Sequence, residues 1–139
     1  MQNPHNSGFT LMELLVVIVI LTVLGAFVAP KFLDQPEKAR VTSTHTQIKA
    51  IGDALDMYKL DNFKYPTTQQ GLKALVEKPT SKPTPKNWKD GGYMQNMPKD
   101  PWGNGYVYLS PGIKKDFDLM SYGADGKKGG EDENADISN

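Results

Sequence analysis

The 139-residue chain has no cysteine, only two histidines, and no run rich in lysine or arginine. Without cysteine there is no disulfide framework, no thiol nucleophile and no thiolate zinc site. The shortage of histidine leaves little for acid–base chemistry, because His5 sits in the first few residues and His45 in the middle of a helical stretch. Ser110 has no evident base partner, and no glycine-rich loop fits a phosphate cradle. The chain is therefore expected not to be an enzyme. Lysine plus arginine and aspartate plus glutamate each number 16, so the net charge is zero, and no basic face points to nucleic acid as a partner. There are no internal repeats.

What the chain has in quantity is apolar length near its start. From Phe9 to Ala29 run 21 residues in which Glu13 is the only charge. As a helix rising about 1.5 Å per residue, the run covers about 30 Å, one hydrocarbon thickness. Leu, Val and Ile fill every face, so no amphipathic period survives and a buried core helix fits poorly. No Lys or Arg precedes the run and no small-x-small site follows it, which argues against an ordinary secretory signal. A transmembrane helix over 9–29 is the expectation. Lys31, Lys38 and Arg40 lie just beyond it, and the positive-inside rule would put that side in the cytoplasm.

Glu13 needs an explanation. A carboxylate in hydrocarbon costs about 2.5–3.5 kcal/mol on insertion scales, so it usually has a partner or a function. Its place near one end allows it to snorkel to the interface. The alternative is a cation at membrane depth, which the flanking residues do not supply. Cutting between Gly8 and Phe9 would create one: an α-amino group a helical turn from Glu13, able to pair with the Glu13 of a neighbouring copy.

Past the run, Pro30 and Pro36 lack the N–H that a helix needs and predict a kink or loosening. From Glu37 the pattern becomes amphipathic. Val41, Ile48 and Leu55 repeat every seven residues, as do Thr44, Ile51 and Tyr58, with Lys49, Asp53, Asp56 and Lys59 away from that stripe. Gly52 on the same side allows a close contact. The segment YPTTQQGLKALVEKP predicts a short second helix capped by Thr67 or Thr68 and stopped by Pro79. Residues 79–93, rich in Pro and Lys and holding Trp88, predict an irregular surface loop. Asn104-Gly105 is a turn signal, followed by strands over Tyr106–Leu109 and Phe117–Tyr122. The fold class is α+β: a long N-terminal helix packed on a small antiparallel β-sheet. About 109 residues follow Pro30, a modest core that a structural metal would help.

The last stretch, Ser121 to Asn139, carries Asp125, Glu131, Asp132, Glu133 and Asp136 against Lys127 and Lys128, a local charge of −3. Composition alone would make it a solvated, partly disordered terminus. It lacks the Asp-x-Asp-x-Asp-Gly order of an EF-hand. Yet Gly126, Gly129 and Gly130 let the chain curl, and hard oxygen donors on both arms suit Ca²⁺, which takes about six to eight oxygens in irregular geometry.

The hexapeptide Gly8-Phe9-Thr10-Leu11-Met12-Glu13 resembles the cleavage motif of type IV pilin-like proteins, in which a prepilin peptidase cuts after the glycine and N-methylates the new terminal phenylalanine. ALDMYKLDNFKYPTTQQGLKALV, MPKDPWGNGYVYLSPG and SYGADGKKGGEDENADI resemble the major pseudopilins of type II secretion systems, and the likeness covers nearly the whole chain. It implies a cleaved leader over 1–8, a transmembrane and filament-core helix over 9–29, and a periplasmic globular domain over 30–139. Orientation in the inner membrane is then opposite to the lysine and arginine count, and the family motif is the more specific of the two signals. The resemblance further implies a Ca²⁺ site in the C-terminal loop. Matching YGADG and ADI to that site assigns side-chain ligands to Asp125 and Asp136 and a backbone carbonyl to Tyr122, with Asn134 or Glu133 in the middle of the loop. Relatives often have an aspartate where this chain has Asn134, and their leaders carry basic residues where this one offers His5. Implied partners are further copies of the chain, minor pseudopilins, the inner-membrane assembly platform of the secretion system and the prepilin peptidase. The implied function is a subunit that polymerises into a pseudopilus driving export of folded proteins across the outer membrane. A major pilin of type IV pili, or a membrane-tethered calcium-dependent binding domain acting as a monomer, are the alternatives.

Overall fold

The computed structural model describes residues 8–139, without the side chains of residues 27–35 and of Glu133. Residues 1–7, most of the expected leader, lie outside the described residues, as do the side chains at the end of the apolar run and at Pro30. The first helix, α1, runs Leu11–Asn62 as one element and does not end at either proline. Three short strands follow: β1 Val107–Leu109, β2 Asp118–Ser121 and β3 Ile137–Ser138. They form one antiparallel sheet in the order β1-β2-β3, with Val107 opposite Met120 and Met120 opposite Ser138. The third strand was not expected from the sequence. The chain divides into two compact units, one ending at Glu37 and the other Lys38–Asn139.

Among the described residues of the first unit the apolar side chains are exposed: Phe9 is 78% exposed, and Leu11 through Leu24 include no buried residue. Among the described residues no helix is long and apolar enough to cross a membrane, and the expected span over 9–29 falls partly outside them.

The second unit has a core of its own. The amphipathic stripe packs as its period requires: Thr44, Ile48, Ile51, Leu55 and Tyr58 are buried and Val41 packs on their edge, while Lys49, Asp53 and Asp56 are exposed. Opposite them lie Leu72 and Leu75, Tyr108 of β1, Leu119 of β2 and Ile137 of β3. Thr44 is reconciled with burial by donating its hydroxyl to the Arg40 carbonyl at 2.9 Å. Lys59 pairs with Asp116 at 2.8 Å and lies 4.5 Å from the Tyr65 ring centre.

Two expectations are corrected. The second helix is only a 3₁₀ turn, Leu72–Leu75, with no side-chain cap of its own. Thr67 does cap, but it caps the turn before: its hydroxyl accepts the Gln70 N–H at 3.2 Å while Gln70 Oε1 accepts the Thr67 N–H at 3.0 Å. Gly71, at φ 61°, then breaks the helical path. Residues 79–93 are an irregular loop as expected, and Trp88 within it donates its indole N–H to the Ala74 carbonyl at 2.9 Å while its ring meets Tyr93 edge-on. Gly52 is not required by space, since an added Cβ would meet only Phe117 Cζ at 3.9 Å.

Two tyrosines bond the sheet side to distant elements. Tyr108 donates its hydroxyl to the Pro66 carbonyl at 2.8 Å, and Tyr106 donates to Gln47 Oε1 of α1 at 2.8 Å. Burial pushes both hydroxyls up to about 12, with the Asp100 carboxylate adding to the effect at Tyr106. In the unfolded chain each would ionise near 10.0, so the folded state holds its protons longer and loses stability as pH climbs from about 10 to about 12. Below pH 10 this contribution is fully present. Thermal melts across that range should show the decline, and Tyr106→Phe should flatten its slope.

Candidate functional site

Two regions carry the residues singled out by sequence. At the start of α1, Gly8 is exposed and Phe9 precedes the helix, so among the described residues the Gly8–Phe9 bond stands clear of the helical hydrogen bonding. Thr10 caps the helix: its hydroxyl accepts the Glu13 N–H at 3.2 Å and its carbonyl accepts the Leu14 N–H at 3.2 Å. Glu13 is thus the third residue of the first turn, where the exposed N–H groups of the helix end favour a carboxylate. The pattern Thr-x-x-Glu is a helix-start signature that the sequence offered and that reading the run only as lipid-facing passed over.

The second region is the loop between β2 and β3. It turns on glycines with positive φ, at Gly123, Gly126, Gly129 and Gly130. Gly130 lies against the Asn134 backbone, where an added Cβ would collide with the carbonyl oxygen. The two arms are also joined by a bond from the Gly129 N–H to Asp136 Oδ1 at 3.0 Å. Asp125 Oδ1 accepts the Lys127 N–H at 3.0 Å, closing a local turn. Asp132, at φ 53°, and Asn134 lie in a 3₁₀ turn, Asp132–Asn134. Among the described residues no carboxylate of this loop forms an ion pair with Lys127 or Lys128. Nor, among the described residues, do three His, Asp or Glu side chains converge there. The donors that remain are hard oxygens of mixed type: the exposed carboxylates of Asp125 and Asp136, the Asn134 amide, and the backbone carbonyls of Tyr122 and Glu133. That chemistry fits an oxygen-seeking divalent cation and suits no softer metal.

The chain end is fastened independently. Ile137 is buried, and Asn139 uses its side chain to extend the ladder, its Oδ1 accepting the Leu119 N–H at 3.0 Å while its own N–H donates to the Leu119 carbonyl at 3.0 Å. The acid-rich tail is therefore held at both ends of the loop, unlike the solvated terminus that its composition suggests.

Comparison with known proteins decides between the readings. The family pattern described as type II secretion system (T2SS), protein G matches residues 31–139, and the prokaryotic N-terminal methylation motif matches residues 3–29. The chain belongs to the type II secretion system protein G family. A Pseudomonas aeruginosa type II secretion system core protein G is 60% identical over 139 residues, spanning 100% of this chain and 98% of that one. The Vibrio cholerae core protein G is 56% identical over 134 residues, spanning 96% and 91%. In three dimensions the chain is similar to the crystal structure of the major pseudopilin from the type 2 secretion system of enterohaemorrhagic Escherichia coli. That match has a TM-score of 0.68 at 45% identity and covers 77% of this chain and 91% of that one. The protein G family is the one its three internal blocks resemble.

Sequence reasoning missed one group in this protein G chain. Asp100, 4% exposed, accepts bonds from the Asn104 N–H at 2.8 Å, the Trp102 N–H at 3.2 Å and the Ser121 hydroxyl at 2.6 Å. The only local signal was an aspartate opening a turn that ends in Asn104-Gly105.

Gly130→Ala should open the loop, because both its φ of 100° and the adjacent Asn134 backbone exclude a side chain. Limited proteolysis should then cut after Tyr122 faster than in the unaltered chain, while the core protects α1 to the same extent.

Proposed function

We propose that the chain is the structural subunit of a periplasmic pseudopilus, polymerising through the apolar part of α1 and driving export of folded proteins across the outer membrane. The observation that carries this reading is the uncovered apolar surface from Phe9 to Leu24 in a chain of the protein G family. Surface of that kind must be removed from water by lipid or by other copies of itself. Cleavage between Gly8 and Phe9, with methylation of Phe9, leaves an amine beside the first turn of α1. Glu13 answers that amine in a neighbouring copy, which neutralises both charges where water is scarce. Before assembly the helix anchors the subunit in the bacterial inner membrane, with the domain from residue 30 onward in the periplasm. Minor pseudopilins, the inner-membrane assembly platform and the prepilin peptidase are the partners of this cycle.

Ca²⁺ is the structural ion of the C-terminal loop in this proposal. Asp125 and Asp136 hold it with their carboxylates, Tyr122 and Glu133 with backbone carbonyls, and Asn134 with its amide oxygen. Bound there, the ion supplies positive charge to a segment that otherwise repels itself. It takes part in no reaction.

Glu13→Ala should abolish filaments on sheared cell surfaces and with them secretion, read by electron microscopy and by assay of exported protein. A monomeric tether would tolerate the change. Chelation should lower the melting temperature of the purified chain by about 5 °C or more, as expected for loss of a ligand held well above its dissociation constant. Indifference to chelator would remove the ion from the account.

A further inference from the structure

We propose that the turn Asp100–Gly105 is the positioning platform for the first arm of the calcium loop, with Asp100 and Asn104 setting the direction of ligands they do not themselves supply. The inference rests on the calcium reading above. It begins with Gly123, which is gripped on both sides. Its N–H donates to Ser121 Oγ at 3.1 Å, and the Ser121 hydroxyl in turn donates to Asp100 Oδ2 at 2.6 Å. Its carbonyl accepts the Asn104 side-chain amide at 3.1 Å.

The N–H of Gly123 and the carbonyl of Tyr122 belong to one peptide plane and point opposite ways. Fixing the first therefore aims the second. Ser121 is fully buried and Asp100 nearly so, and Asp100 is itself held by the Trp102 and Asn104 N–H groups. Asn104 does the same for the following residues. Gly126 lies so close that an added Cβ would be 3.4 Å from Asn104 Cγ, and its φ of 65° turns the chain back there. The Gly126 N–H also reaches the Gly123 carbonyl at 3.4 Å. Asp125 is thus bracketed between Gly123, which the Asn104 amide bonds, and Gly126, which lies close beside the Asn104 side chain. The platform is itself rigid: the Asp100 N–H donates to the Asn104 carbonyl at 2.9 Å, and the Gly103 N–H to the Asp100 carbonyl at 2.9 Å.

Groups behind metal ligands govern affinity by removing the freedom that binding would otherwise have to remove, and losing one typically costs about 10- to 100-fold. The test is calcium titration calorimetry on the full chain in detergent, paired with thermal melts in chelator. Asn104→Ala removes the amide without disturbing the buried carboxylate, and should weaken Ca²⁺ binding about tenfold or more. Its melting temperature in chelator should stay within about 2 °C of the unaltered chain, as for a half-exposed side chain of purely local effect. Asp100→Asn, which cannot accept the Ser121 hydroxyl at that atom, should weaken binding similarly. If that variant fails to fold, the Asn104 result decides. Unchanged affinity in Asn104→Ala, with or without a lower melting temperature, overturns the platform while leaving the calcium site standing. Failure of the unaltered chain to bind Ca²⁺ overturns both, and the separate arm shows which has failed.

Discussion

One helix is required to satisfy two solvents. Over its second half α1 buries a single stripe, from Thr44 to Tyr58, and leaves its other faces to water. Over its described first part it buries nothing against its own chain, and leucine, valine and isoleucine fill all sides. At roughly 25 cal/mol per Å², uncovered apolar area of that extent is a large driving force for association or for insertion into lipid. Everything proposed for this chain follows from how that requirement is met: in the proposed cycle a membrane holds the subunit until other subunits replace the lipid. Glu13 fits the same logic, because it lies in the first turn, where the helix end favours a carboxylate, and in the proposed filament it answers a neighbour's amine.

The second unit solves a different problem, which is to hold itself together with very short strands. β1, β2 and β3 have three, four and two residues. So small a sheet has little ladder energy, and its stability comes from what crosses it. Leu119 and Tyr108 pack on the stripe of α1, Tyr106 bonds Gln47, and Tyr108 bonds the Pro66 carbonyl. Asn139 lengthens β3 with its side chain, whose Oδ1 accepts the Leu119 N–H. The acid-rich loop is then a closed excursion from an already paired hairpin, so an ion binding there would not have to bring the ends together.

What could be read from the residues was what repeats or what a short motif specifies. The seven-residue spacing of Val41, Ile48 and Leu55 identified the core face of α1, and the turn at Asn104-Gly105 placed β1 to within a residue. Contacts between residues far apart in sequence left no such mark. Asp100 meets Ser121 across 21 positions, and nothing in either neighbourhood announces the pairing. β3 was hidden because two residues carry no alternation, and because the glycines and acids before it have the composition of a disordered tail. The 3₁₀ turn at Leu72–Leu75 was overextended into a helix, since the apolar spacing carries no sign that φ turns positive at Gly71. The loop that carries Asp125 and Asp136 was singled out through resemblance; the bonds that Asn104 and Ser121 make to Gly123 within it were not foreseen.

The division of labour between the two units is the central claim, and light scattering on a fragment beginning at Lys38 tests it most directly. The account predicts a folded monomer at all accessible concentrations, with the circular dichroism melt of the second unit retained and no filaments formed. A fragment that still polymerises, or one that cannot fold without residues 9–37, would contradict it.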